Sequence, residues 1–167
     1  MIKRNLYLEE IKKYMNKPLI KVITGMRRSG KSIILQLIQE EIKNNGIDEK
    51  NIIYINFESL VFIDIKYFET LYKYIIEKTD NISGKIYILL DEIQEVKGWE
   101  KAINSFLVDL DVDIYITGSN ANLLSSELAT YIAGRYVEIK IYPLSFQEYI
   151  DFTSENNKEN SLSLDEY

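Results

Sequence analysis

Eight consecutive residues, Gly25-Met26-Arg27-Arg28-Ser29-Gly30-Lys31-Ser32, set two glycines, a lysine and a hydroxyl at the spacing G-x-x-x-x-G-K-[ST]. Glycines at both ends let a backbone wrap until its N–H groups converge on one point, and a helix starting where the loop ends adds its positive terminus. The ligand matching such a cradle is a chain of phosphates. Lys31 then supplies the ammonium for the outer phosphates, and Ser32 supplies a hydroxyl for the accompanying Mg2+. Met26, Arg27, Arg28 and Ser29 occupy the variable positions, where backbone N–H groups do the binding and the arginine pair reads equally well as a solvent-facing loop.

A second set of acidic and polar residues follows. Asp91-Glu92 ends an apolar run sixty residues after Lys31. A carboxylate at the carboxyl end of a buried strand lies on the rim where parallel sheets bind ligands. There Asp91 orients Mg2+ through its water shell, and Glu92 polarises a water for in-line attack on the terminal phosphate. Thr117-Gly118-Ser119-Asn120 closes another apolar run and either touches the terminal phosphate or makes an ordinary turn. Asn56 either hydrogen-bonds Glu92 or caps its own strand. Arginine occurs only at positions 4, 27, 28 and 135, so Arg135 is the one guanidinium beyond the loop region; it either stabilises charge in phosphoryl transfer or makes a surface ion pair.

These residues need elements to hold them. Leu19 to Thr24 is β-branched and apolar, and Ile33, Ile34, Leu35, Leu37, Ile38 and Ile42 recur at helical spacing, so the loop joins a strand to a helix. An amphipathic helix over 5–15, with Leu8, Ile11 and Met15 on one face, precedes it and stops before Lys17-Pro18. Further strands are predicted at Ile52–Phe57, Ile86–Leu90, Ile114–Thr117 and Tyr136–Ile141. Helices are predicted at Phe68–Ile76, Trp99–Leu110 and Leu123–Ala129. The run 86–90 is apolar on both faces, as a strand inside a parallel sheet is. Alternating strands and helices predict an α/β domain, a parallel sheet with helices on both faces. Ser145-Phe146-Gln147-Glu148 has the spelling of a capping box and opens a helix through Phe152. A polar stretch from Thr153 and a second capping-box spelling at Ser163 follow, which places one domain at 1–152 and a linker at 153–167 and predicts disorder there.

Composition excludes other chemistries. The 167 residues contain no Cys and no His, which removes thiol nucleophiles, Cys/His zinc sites, disulfides and His-based triads. The net charge is −6, four units of it beyond Tyr149, and no basic face suits a nucleic-acid backbone. The first residues are too polar for a secretory signal and no apolar run reaches membrane-spanning length, so a cytoplasmic protein without membrane contact is expected. A small-molecule kinase would want several arginines in a mobile lid, and the sequence has no such cluster.

The loop, Leu89-Leu90-Asp91-Glu92-Ile93-Gln94 before Trp99, Thr117-Gly118-Ser119-Asn120, Ala133-Gly134-Arg135 and Pro143-Leu144-Ser145-Phe146-Gln147-Glu148-Tyr149 occur in that order. Together they resemble the AAA-type ATP-binding proteins of bacteria and archaea in which an ATPase domain precedes a DUF4143 domain. The resemblance runs from about residue 4 to the end. It implies a three-layer P-loop NTPase fold of the additional-strand class, strand order 5-1-4-3-2, with ATP and Mg2+ as ligands. By matching position, Ser119 and Asn120 become sensor-like residues and Arg135 the Arg of a Gly-Arg motif. Preference for ATP over GTP rests on this resemblance and on the lack of an Asn-Lys-x-Asp segment. The resemblance also implies a further C-terminal domain beyond this tail. The function expected is ATP hydrolysis coupled to a homo-oligomer, a partner protein or that domain; the alternative is a slow-turnover nucleotide switch.

Overall fold

Five short apolar runs, each too brief for a helix that spans the domain and each followed by a turn, pair into one sheet. A computed structural model describes residues 4–119, 132, 134–146 and 148. Its elements are α1 (Asn5–Lys12), β1 (Ile20–Gly25), α2 (Lys31–Asn44), β2 (Ile52–Asn56), α3 (Phe68–Thr79), β3 (Ile86–Asp91), α4 (Trp99–Asp109), β4 (Val112–Ser119) and β5 (Tyr136–Ile141). The strands lie in the order β2-β3-β4-β1-β5, all parallel, so the additional-strand order holds: β4 separates the loop-bearing β1 from β3.

Every residue of β1 and β3 is buried. Both strands are covered on two faces, which is why their sequences lack the polar alternation of a half-exposed strand. The period of two splits their side chains between two cores. Ile20, Val22, Ile86, Ile88, Leu90, Ile114 and Ile116 pack with α3 and α4 through Leu71, Ile75, Ile103 and Phe106. Ile23, Tyr87, Leu89, Tyr115, Ile139 and Ile141 pack with α1 and α2 through Leu8, Ile11, Ile34, Leu35, Ile38 and Ile42. Burying one such Leu, Ile or Phe side chain contributes roughly 1.5–3 kcal/mol.

The departures from expectation lie at ends and surfaces. Helix α1 stops at Lys12, because Lys13, Tyr14 and Met15 donate to carbonyls three residues back and tighten the chain into turns. Helix α3 runs on to Thr79, three residues past the predicted end, with Ile75 and Thr79 both buried. Ile33 is 41% exposed rather than part of the inward stripe of α2. The helix expected at 123–129 and everything from residue 149 on, including the linker and its expected disorder, lie outside the described residues.

Candidate functional site

Strand β1 reaches the rim and must turn at once. A side chain at Gly25 would put its Cβ 2.4 Å from the Ile141 carbonyl oxygen and 2.7 Å from Ser29 Oγ, so only glycine lets the loop fold back against the end of β5. Gly30 closes the loop at φ 91°, a left-handed geometry that glycine adopts without penalty, and serves as N-cap of α2. Arg28 also takes a left-handed φ of 65°. That costs energy in a non-glycine residue and marks a loop held in shape by its surroundings. Met26, Arg27 and Arg28 are exposed, so the arginine pair faces outward, while Ser29 and Lys31 are buried.

Lys31 folds over the loop it ends. Its ammonium, on a side chain 5% exposed, donates to the Met26 carbonyl at 3.3 Å and stands 3.4 Å from Glu92 Oε1. Both contacts are long for a buried cation with three donors, and a stronger anion would satisfy it better. Ser29 Oγ is buried and has no hydrogen-bond partner among the described residues. The N-terminal N–H groups of α2, which no helix can satisfy internally, open on the same space. A buried cation on long contacts, an unpaired hydroxyl and a helix start fit the phosphates of a nucleotide.

The two carboxylates arrive from β3. Asp91 shares the α2 side of the sheet with Tyr87 and Leu89 and is fully buried. Its Oδ1 accepts from the Thr117 hydroxyl and its Oδ2 from the Tyr54 hydroxyl at 3.2 Å. The Thr117 Oγ1 in turn accepts the Glu92 backbone N–H at 2.9 Å, so one hydroxyl on β4 fixes both residues of the pair. Burial, and then the charge of Asp91, push the Tyr54 hydroxyl up to about 12, which keeps it a donor. Glu92 takes a left-handed φ of 55°. Gln94 Nε2 donates to its Oε2, so both carboxylate oxygens have partners. Ser32, half-buried at the start of α2, and Asp91 are a hydroxyl and a carboxylate of the kind Mg2+ uses alongside phosphate and water. Among the described residues no group of three or more carboxylates gathers, so a metal here would need the phosphates as ligands.

The fold brings Lys31, Asp91 and Glu92 to one rim and sets Ser119 in register with Gly25. Asn120 lies outside the described residues. Asn56 does not hold Glu92; its Oδ1 accepts the Glu58 N–H at 2.9 Å, the strand-end cap, and Gln94 takes the place assigned to it. Arg135 is not brought to the loop. It precedes β5, its carbonyl accepts from Ile20 at the start of β1, and its guanidinium donates to Asn104 Oδ1 at 3.1 Å on the surface. That is the end of the strands opposite the phosphate loop. Sequence reasoning missed Tyr54, and it quoted Thr117 and Gln94 within motifs without giving either its role of holding Asp91 or Glu92. The Leu90–Ile116 register makes Asp91 and Thr117 neighbours, a signal available only once β3 and β4 are known to pair.

A family model described as an AAA domain matches residues 17–150. An uncharacterized protein of Haemophilus influenzae is 49% identical over 150 residues, covering 90% of this chain and 38% of that protein. Uncharacterized protein MJ1544 of Methanocaldococcus jannaschii is 37% identical over 157 residues, covering 93% of this chain and 33% of its own length. The chain therefore spans about a third of the length of these relatives. Among solved structures, AMPPCP-bound DnaA from Aquifex aeolicus superposes with a TM-score of 0.60 at 18% identity, covering 93% of this chain and 51% of that one. A DNA polymerase III gamma subunit-related protein from Thermotoga maritima gives a TM-score of 0.63 at 13% identity, with 89% and 49% covered. At such identities these two structures speak to the fold.

Proposed function

The chain belongs to the AAA domain family, and on that premise we propose that it is an Mg-dependent ATPase module. The observation that carries this reading is the meeting of Lys31 with Glu92. The ammonium of the phosphate loop and the acid at the end of β3 meet at 3.4 Å, so a terminal phosphate that takes Lys31 as its partner releases Glu92 toward an attacking water. In this reading the loop from Gly25 to Ser32 binds the phosphates through its backbone, Lys31 holds the outer ones, and Ser32 and Asp91 hold Mg2+. The ion neutralises charge on the phosphates when bound. Glu92 accepts a proton from water as it attacks, and Thr117 holds the Glu92 backbone where that is possible. Ser119 and Asn120 act as the residues that sense the terminal phosphate in this reading. Arg135, at the end of the strands opposite the loop, serves the nucleotide of a neighbouring copy in this reading.

The DnaA structure with AMPPCP supports ATP as the nucleotide, and the greater length of the two relatives supports coupling to a region beyond this chain or to a partner protein. The cytoplasm is the compartment this reading assigns; among the described residues no helix is long and apolar enough to cross a membrane. A slow-turnover switch is the second reading, favoured by the engagement of both Glu92 oxygens by Lys31 and Gln94.

One pair of variants tests the proposal. Lys31→Ala should abolish tight Mg-ATP binding in calorimetry without unfolding the chain. Glu92→Gln should bind ATP while single-turnover phosphate release falls on the order of a hundredfold. Tight ATP binding by Lys31→Ala would overturn the loop assignment. Parent release as slow as that of Glu92→Gln would favour the switch.

A further inference from the structure

A phosphate loop works only when its peptide N–H groups face the anion, so whatever fixes its peptide planes also sets its affinity. One plane of this loop is fixed from outside. The Arg4 guanidinium, on a residue 5% exposed, donates through Nη1 to the Ser29 carbonyl at 2.8 Å. A trans peptide is planar, with its C=O and N–H pointing opposite ways. Turning the Ser29 carbonyl outward to Arg4 therefore turns the Gly30 N–H inward, toward the phosphate space.

The same guanidinium ties down the chain that leaves the sheet. Its Nη2 donates to the carbonyl of Tyr142, the residue after β5, at 2.8 Å, and its Nε to Glu148 Oε1 at 3.0 Å. It also lies over the Tyr7 ring, 4.5 Å from the centroid. Glu148 is held in turn by the capping box: its Oε2 accepts the Ser145 N–H at 2.8 Å and its own N–H donates to Ser145 Oγ at 3.2 Å. Burial alone would raise the Glu148 carboxyl, yet the hydrogen bonds from Arg4 and Ser145 hold it below the usual glutamate range. Arg4 thus gathers the N-terminal segment, the phosphate loop and the segment after β5 at one buried charge. Lysine could not substitute, because a single ammonium lacks the planar fork that reaches three partners at once.

We infer that Arg4 is a positioning residue for the phosphate loop, and that Glu148, by holding Arg4, makes the loop's affinity for ATP depend on the segment 142–148. This rests on the ATP-binding reading above. Nucleotide in the loop and a pull on the chain beyond Tyr142 then act on the same guanidinium, a link between binding and whatever follows residue 148.

The test compares the parent chain with Arg4→Lys, Glu148→Gln, the double variant and Lys31→Ala. Each is measured for melting temperature and, well below it, for calorimetric affinity toward Mg-ATP and toward inorganic tripolyphosphate. Losing a charge-assisted hydrogen bond to the loop should weaken both ligands roughly tenfold in folded Arg4→Lys. Glu148→Gln should weaken them several-fold, and the double variant should bind no worse than Arg4→Lys, because the two residues act in series. A purely structural role would lower the melting temperature and leave the affinities of the folded protein unmoved. Parent-like affinity in both single variants would overturn the inference, as would losses that add in the double variant. If Arg4→Lys does not fold, parent-like affinity in Glu148→Gln is enough to overturn it. A parent that binds no better than Lys31→Ala would instead bring down the ATP-binding reading itself.

Discussion

A single hydroxyl organises the rim. Thr117 donates to Asp91 and accepts from the Glu92 backbone, so the two carboxylates keep their relative places although Glu92 sits at a left-handed φ of 55°. Tyr54 completes the arrangement from the edge strand, and its buried hydroxyl makes the site sensitive to alkali. Unfolded, Tyr54 ionises near its ordinary 10.0; folded, burial and the Asp91 charge keep it protonated until about pH 12. Its raised value means that its contribution to stability is complete below about pH 10 and is lost as pH climbs toward about 12. In denaturant titrations at a series of pH values, the parent should lose stability more steeply over that window than Tyr54→Phe; parallel curves would remove Tyr54 from the balance. The turn from β1 into α2 was legible at this scale because two glycines at that spacing let the backbone wrap and a helix follow. Gln94 was not, since an amide two residues past an acid carries no signal until a short 3-10 turn at Ile93–Glu95 bends it back toward Glu92.

Elements divide the labour between the sheet's two faces. The loop, α2 and the Asp91 side chain lie on one face, whereas α3 and α4 form a layer on the other in which Phe106 is fully buried and stacks on Tyr72 at a centroid distance of 5.7 Å. Phe106→Ala leaves a ring-sized void that the layer can close only in part, at a cost of about 3–5 kcal/mol. That is a large share of the stability of a domain this size, which is about 5–15 kcal/mol. Urea unfolding should show the loss, while Mg-ATP affinity measured where the variant is still folded should match the parent; a change in affinity of the same size would mean that the two faces are not independent. The five strands and the four described helices were legible because apolar runs and helical spacing persist through them. Their ends were not. Whether α1 continued past Lys12 or α3 stopped before Thr79 depended on which carbonyls and which core positions lay within reach, and that is decided by packing.

At the scale of the whole molecule the parallel sheet imposes a polarity that no motif reveals. All five strands point the same way, so residues that precede strands and residues that follow them are separated by a strand's length. Gly25 ends β1 and Arg135 precedes β5 beside Ile20, which sets them roughly 20 Å apart at the usual rise per strand residue. The sequence placed Arg135 beside a glycine and near nothing else; only the register sets it at the end of the sheet opposite the phosphate loop. A guanidinium that serves phosphoryl transfer from there must serve a site in another copy, and a group needed only as the phosphate leaves affects rate more than affinity. Arg135→Ala should therefore bind Mg-ATP like the parent and lose most of its hydrolysis. Mixing it with Glu92→Gln, in a preparation verified to exchange subunits, should restore phosphate release, because one composite site regains both the arginine and the acid. Full activity of Arg135→Ala alone would leave its hydrogen bond to Asn104 as its whole role. A parent that hydrolyses ATP at an undiminished rate as a strict monomer would exclude the shared site.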